Sequence, residues 1–308
     1  MRLPLAIVAA VLSSCSDGPA PSVAPPAPVV PQVVDGMIRI PAGTVQLGPR
    51  HMLAAPPPQL PAAEPADPGR VRHFESRAGM GLAPRFFTVE AFWIDQTEVT
   101  RAAYGEFLDA TGYRLPHVTE SWAADGWNWS SSAPPAGTQD HPVVLLSWYD
   151  AQAYCQWRGK RLPSEAEWQL AALGPADQLR RYPWGTAYDA KRLNHGRMEP
   201  PNFDDSDGFA RTSPVGSFPA GRSPYGLDDA FGNAWEYTAD LRVDDWAALA
   251  KDGAIPVRYP GVPGLPLRVA VRGGSFYFDL AEPGGEWAAM SPEVRRKSTG
   301  VRCARQSP

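Results

Sequence analysis

A chain of 308 residues with 20% charged residues and a net charge of −4 can hold one large domain or two small ones around a sizeable core. The slight acidic balance argues against a nucleic-acid partner, which would want a basic face, and no apolar run reaches the roughly 18–20 residues that a membrane-spanning helix needs. With 35 prolines and 28 glycines, many loops and little regular structure are expected.

Residues 1–15 read as a targeting segment: Arg2 gives the positive start and Leu3–Leu12 a short apolar stretch. The run ends in Leu12-Ser13-Ser14-Cys15, small residues before a cysteine at the expected cleavage point, which look like the lipobox of bacterial lipoproteins. Acylation of Cys15 is the expectation, set against an ordinary signal peptide with an incidental cysteine. Ser16 after it favours the outer over the inner membrane. Residues 16–35 hold six prolines and no charge between Gly18 and Asp35, the composition of an extended tether rather than of a core.

The segment Met37–Gly48 alternates apolar and polar residues around Pro41-Ala42-Gly43, predicting two short strands and a turn. Residues 49–84, with Pro56-Pro57-Pro58 at their centre, read as an irregular insertion. Strands resume at Phe86–Val89 and Phe92–Ile94. Thr100 is a suitable N-cap for a first helix that puts Ala103, Tyr104, Phe107 and Leu108 on one face and stops at Gly112. Trp122, Trp127 and Trp129 follow in a loop, either anchoring it in the core or paving a ligand groove; anchoring is the expectation. Capping boxes at Ser147/Asp150 and Ser164/Glu167 predict two more helices, ending at Gly159 and Gly174. The basic run Arg158, Lys160, Arg161 beside Glu165 and Glu167 reads as a structural ion-pair network.

The stretch Tyr225–Asp240, YGLDDAFGNAWEYTAD, sets Asp228, Asp229 and Glu236 around a Gly232-Asn233 turn and includes Trp235 and Tyr237. Acidic groups so close together need a cation among them or full solvation, and calcium suits carboxylate and carbonyl oxygens.

Six motifs in order, MIRIPAGTVQLG (37–48), FWIDQTEVTRAAYGEFL (92–108), HPVVLLSWYDA (141–151), AYCQWRGKRLPSEAEW (153–168), the acidic stretch above, and VRGGSF (271–276) with GVRCA (300–304), resemble the formylglycine-generating enzyme, or sulfatase-modifying factor, family over residues 36–306. The resemblance implies a single loop-rich α+β domain of C-type-lectin-like type, with short antiparallel sheets and about three main helices. It implies a structural calcium held by the side chains of Asn194 and Asp207 and the carbonyls of His195 and Phe209. A second would be held by the side chains of Asp229 and Glu236 and the carbonyls of Gly232 and Ala234. It also implies a disulfide between Cys155 and Cys303, which an exported, oxidising setting favours.

In the resembling enzymes two cysteines after RGGSF hold copper as thiolates. Here Phe278 stands at the first position and the second falls near Pro283. Cu(I) wants soft sulfur ligands; Asp279, Glu282 and Glu286 are poor substitutes, so copper-dependent formylglycine formation is not expected. Related sulfoxide synthases add a four-helix domain with a His-x-x-x-His iron site, a spacing absent from the five histidines here. Other branches work in periplasmic siderophore maturation, or are lipoproteins of secretion and gliding machinery.

Two functions stay open. One is a lipid-anchored envelope module that binds or scaffolds a glycan, a peptide or another envelope protein without catalysis. The other is an oxidoreductase of the same superfamily with a different centre, in a groove near Ser275, Tyr277, Asp279 and the Trp287 loop. An aromatic-lined cleft without converging titratable groups would favour the first, and a tight cluster of carboxylate, Arg and His the second.

Overall fold

The computed structural model describes residues 31–47, 64–65, 85–178, 180–196, 204–243, 267–281 and 287–307. The leader with Cys15, the tether up to residue 30, nearly all of the 49–84 insertion, and Glu282, Pro283 and Glu286 lie outside the described residues.

The alternating 37–48 segment forms β2 (Met37–Ile40) and β3 (Gly43–Leu47), as its pattern predicts, but the two strands join different sheets. The turn between them sends Ile38 to pair with Ile94 of β6 (Phe92–Asp95) and Val45 with Phe87 of β5 (Arg85–Val89). The first sheet has the order β1 (Val33–Val34), β2, β6, β11 (Ala304–Gln306), so the N- and C-terminal ends of the domain close on one strand pair. The insertion is not wholly irregular: β4 (Glu64–Pro65) runs parallel to β5 in the second sheet, β3-β5-β4. A third sheet, β10-β7-β8-β9, comprises β7 (Trp235–Val243), β8 (Leu267–Arg272), β9 (Trp287–Met290) and β10 (Thr299–Gly300). Pairing is antiparallel except at β4–β5 and β10–β7.

Helix α1 (Arg101–Thr111) starts where the Thr100 side chain accepts a hydrogen bond from the Ala103 N–H. It ends at Gly112, whose φ of +64° is the left-handed cap that glycine adopts without a Cβ clash. α2 (Trp148–Trp157) and α3 (Glu165–Leu173) carry both predicted capping boxes. Each satisfies two backbone N–H groups otherwise left without an intrahelical partner.

Two main cores result. In one, α3 packs Trp168 and Leu170 against Ile38, Val45, Phe87 and Ile94 of the first two sheets. In the other, Tyr104 and Phe107 of α1 meet Tyr154 of α2, Trp235 and Tyr237 of β7, and Val301. Cys155 of α2 is bonded to Cys303 across a sequence separation of 148 residues. The bond ties the helical core to the last strand of the first sheet. Among the described residues no helix is long and apolar enough to cross a membrane.

The basic run does form ion pairs, one with a neighbour in sequence and the others with more distant partners. Arg161 holds Glu167 at 2.6 Å, but Lys160 reaches Asp95 at 2.5 Å, Arg158 faces Glu106 at 3.7 Å, and Glu165 pairs with Arg272 at 3.4 Å. Lys160 thus links the end of α2 to the end of β6.

Candidate functional site

The acidic stretch lies buried at the junction of the two cores, and an arginine supplies much of the cation it needs. Glu236, on β7, and Arg302 are both 0% exposed and paired at 2.6 Å, with Trp168 Nε1 donating to the same carboxylate at 2.6 Å. Arg302 also donates to the carbonyls of Asp95, Gln96 and Asp228. Burial alone would lower the guanidinium pKa, but Glu236 and then Glu98 and Asp229 hold it above its ordinary range. Asp228 is paired with Arg222 at 2.6 Å. The cation that these carboxylates need among them is thus supplied at least in part by arginines, Arg302 from the far end of the chain and Arg222 from six residues before Asp228.

Charge balance is still incomplete. Glu98, unremarked in the sequence reading, is buried within the same group, accepting from Ala234 N–H and Asn233 Nδ2 at 3.0 Å each. Burial, then Asp229 and Glu236, push its pKa well above the usual carboxylate value. Burial also raises Asp229 to about 6, against a hydrogen bond from the Gly216 N–H. Three buried carboxylates thus share Arg302. Burying like charges in low dielectric is costly unless a cation joins them.

The residues of the first ligand set that the resemblance implies lie together. Gly232 has a φ of +88°, and a Cβ there would lie 2.1 Å from the Asn194 carbonyl, so only glycine lets the 232–234 turn press against the 194–196 segment. Asn194 is buried, its Nδ2 donating to the Arg211 carbonyl while its Oδ1 has no hydrogen-bond partner. The Asp207 oxygens accept from the N–H groups of His195 (2.8 Å) and Phe209 (2.9 Å), which brings all four residues of the first set to one place. An orphaned buried amide oxygen beside a half-buried carboxylate is a donor set that fits a hard cation. The second set fits on charge, since a cation would relieve the Glu98/Asp229/Glu236 excess. Glu236 would have to offer the lone pairs that Arg302 and Trp168 leave, as a carboxylate with about four acceptor sites can. Among the described residues no three His, Cys, Asp or Glu side chains are arranged to hold a metal, so any calcium here leans on amide and carbonyl oxygens.

The RGGSF segment leaves β8 through Gly273 and Gly274 and places Ser275 fully buried. Phe276 N–H donates to the Asn233 carbonyl and Gly196 N–H to the Phe278 carbonyl, so the acidic stretch and the calcium-ligand loop both brace it. The Phe278 ring is half-buried between the two cores, edge-on to Trp235 (5.5 Å) and near Tyr277 (6.3 Å). Tyr277 N–H donates to Ser275 Oγ at 3.3 Å, a contact local to the turn. Asp279 is exposed and accepts from the Ala281 N–H. The Trp287 side chain lies outside what is described.

On one side of this segment Trp127 stacks on Phe276 at 5.9 Å, Arg211 sits 4.9 Å over Trp127, and Lys297 sits 4.6 Å over Tyr277. On the other, Tyr188 lies 6.5 Å from the His195 ring, and burial, then Asp279, raise its pKa to about 12. Trp127 and Trp129 are loop anchors as expected, at 5% and 3% exposure, but Trp122 is not: it is 36% exposed, because its short 3-10 turn (Ser121–Ala124) buries Ala123 instead.

A disulfide-tied, loop-rich α+β domain with stacked acidic and glycine turns defines the class, and comparison places it. Residues 23–307 match the model of the sulfatase-modifying factor enzyme 1-like domain. The chain belongs to this formylglycine-generating enzyme family. It is 31% identical to a formylglycine-generating enzyme of Thermomonospora curvata over an alignment of 313 residues, covering 89% of this chain and 94% of that protein. It is 35% identical over 197 residues to a bovine protein called inactive C-alpha-formylglycine-generating enzyme 2, covering 54% and 64%. The chain spans 60% and 52% of the bovine and mouse formylglycine-generating enzymes it also matches. Among solved structures, PvdO from Pseudomonas aeruginosa has the same fold, with a TM-score of 0.61 at 24% identity over 88% of this chain and 94% of that one.

Proposed function

We propose that this is a lipid-anchored envelope protein whose domain binds or scaffolds a partner without catalysis. The observation that carries the reading is Phe278. Where the resembling enzymes have the first copper thiolate, a half-buried ring fills the space against Trp235 and Tyr277, and the sequence puts Pro283 near the second. A phenyl ring offers Cu(I) no ligand, and both described cysteines are joined to each other. Cys15 would carry the lipid, residues 16–35 would hold the domain off an outer or inner membrane, and the partner would be a glycan, a peptide or an envelope protein.

Calcium has a structural part in this reading. Asn194, Asp207, His195 and Phe209 would hold one ion, and Asp229, Glu236, Gly232 and Ala234 a second, fixing loops that lack strand pairing. Such an ion supplies positive charge to hard oxygen ligands and no redox chemistry.

The test is copper titration of the mature protein with a Cys-x-Pro-x-Arg peptide as substrate, followed by mass spectrometry for the aldehyde. No uptake and no conversion is the expected result; tight one-to-one copper binding with turnover overturns the reading. The alternative is an oxidoreductase of the superfamily. It is favoured by the near full-length likeness to the Thermomonospora curvata enzyme, and by Tyr188, His195 and Asp279 on one flank of the segment.

A further inference from the structure

Arg101 opens helix α1 and is only 3% exposed, yet no carboxylate pairs with it among the described residues. Its Nε donates to the Pro142 carbonyl at 3.3 Å and its Nη1 to Thr138 Oγ1 at 3.0 Å, both neutral acceptors. Nη2 carries no hydrogen bond among the described residues and is not sealed from solvent. The guanidinium is thus anchored on one side while its charge is left unopposed on the other.

Its place in the fold adds to the cost. A helix start carries about half a positive charge, and the first turn of α1 has no acidic residue to balance it. The leading N–H groups of Arg101, Ala102, Ala103 and Tyr104 are already taken by the carbonyls of His141, Gln139 and Thr100 and by Thr100 Oγ1, so the helix end supplies field but no donors. A second arginine is close. His141, whose carbonyl takes the Arg101 N–H, has its ring Nδ1 3.1 Å from Thr212 Oγ1, and Arg211 precedes Thr212 in the chain. Burial, then Arg211, bring the Arg101 pKa down to about 10, and burial, then Arg101, lower that of His141. The acid beside His141, Asp140, is exposed and acts on that ring less than Arg101 does.

We propose that Arg101 forms the wall of a binding site for a small oxyanion, a phosphate, sulfate or carboxylate, which takes hydrogen bonds from Nη2 and is drawn there by Arg211 and the start of α1. Burying a guanidinium without a counter-charge is costly, and an oxyanion is the counter-charge that its planar fork of donors suits. With so little of the side chain exposed, only a small group reaches it. The site uses none of the calcium-ligand residues, and the proposal rests neither on the absence of catalysis nor on the lipid anchor.

The experiment is isothermal titration calorimetry of the full chain with sodium phosphate, sodium sulfate or sodium acetate at constant ionic strength. Saturable one-to-one binding of at least one of the three is expected, and which of them bind tells tetrahedral from planar oxyanions. Arg101→Met should abolish it. Arg211→Met should raise the dissociation constant about five-fold, as a cation that attracts through partial screening would. Phosphate and sulfate also stabilise folded proteins in general, an effect common to parent and variant; bound at the site, they should raise the melting temperature of the parent by more than that of Arg101→Met. Saturable binding of none of the three overturns the proposal, as does binding that Arg101→Met leaves unchanged. Should Arg101→Met fail to fold, the exposed Arg211→Met decides, since an affinity it leaves unchanged removes the second cation and the proposal with it. Copper-dependent peptide turnover would sink the non-catalytic reading and leave the oxyanion result standing, and absent oxyanion binding removes this site alone.

Discussion

Arg302 shows how one side chain can decide whether a buried site is tolerable. It is fully buried, pairs with Glu236 through two nitrogens at 2.6 and 2.7 Å, and donates to the carbonyls of Asp95, Gln96 and Asp228. A buried ion pair adds little net stability over an apolar replacement, but removing one partner strands the other. Arg302→Met should therefore destabilise by about 3–5 kcal/mol in chemical denaturation. Pairing it with Glu236→Gln should recover part of that loss, because the stranded charge goes with it. A single variant as stable as the parent would show that Glu98, Asp229 and Glu236 do not need this guanidinium. Arg302 was within reach of the sequence reading, being the residue before Cys303 in a quoted motif, as was Glu98 in another. What hid them is that pairing over 66 residues leaves no local pattern, whereas a cap or an alternation does.

At the level of elements, what could be read depended on how local the cause was. All three helices start where Thr100, Ser147 and Ser164 say they should, and α1 and α3 stop at Gly112 and Gly174, since a cap is satisfied within four residues; α2 caps at Arg158, one residue before the expected Gly159. Strand existence was legible in 37–48, but not sheet membership, because that depends on which distant strand meets Ile38 and which meets Val45. The same distinction separates Trp127 from Trp122: three tryptophans in one loop look alike until the 3-10 turn directs one outward. Of the candidate site, the grouping of Asn194, His195, Asp207 and Phe209 was foreseen through the family resemblance, while the Arg211 and Lys297 contacts over Trp127 and Tyr277 were not, since those residues come from separate loops. Ser164→Ala tests the local kind of cause directly. Its hydroxyl accepts from the Glu167 N–H at 3.1 Å, in a helix whose residues all face other protein. Losing the cap should lower unfolding stability by about 0.5–2 kcal/mol with α3 still in place. No change would mean that the Glu167 carboxylate, held by Arg161, stabilises the helix start unaided.

For the whole molecule, the question is what holds together a domain in which loops carry so much of the packing. The Cys155–Cys303 bond closes a loop of 148 residues and fixes the helical core to the closing strand. It does nothing for the 194–234 region, where Asn194 Oδ1 has no partner and Glu98 and Asp229 carry raised carboxyl pKa values. Both costs fall on the loops that brace the RGGSF segment, so a cation there would couple loop order to that segment. Calcium at about 100 times its dissociation constant should stabilise the fold by roughly 2.7 kcal/mol, and chelation should remove that increment. Magnesium, smaller and reluctant to shed water, should substitute poorly. The measurement is thermal unfolding with EDTA, with calcium and with magnesium, on the parent and on Asn194→Ala. A calcium-dependent rise in melting temperature that shrinks in the variant is the expected pattern. Identical curves in EDTA and calcium would mean that these loops hold without a metal ion, and that Arg302 and Arg222 supply the cations the acidic stretch requires.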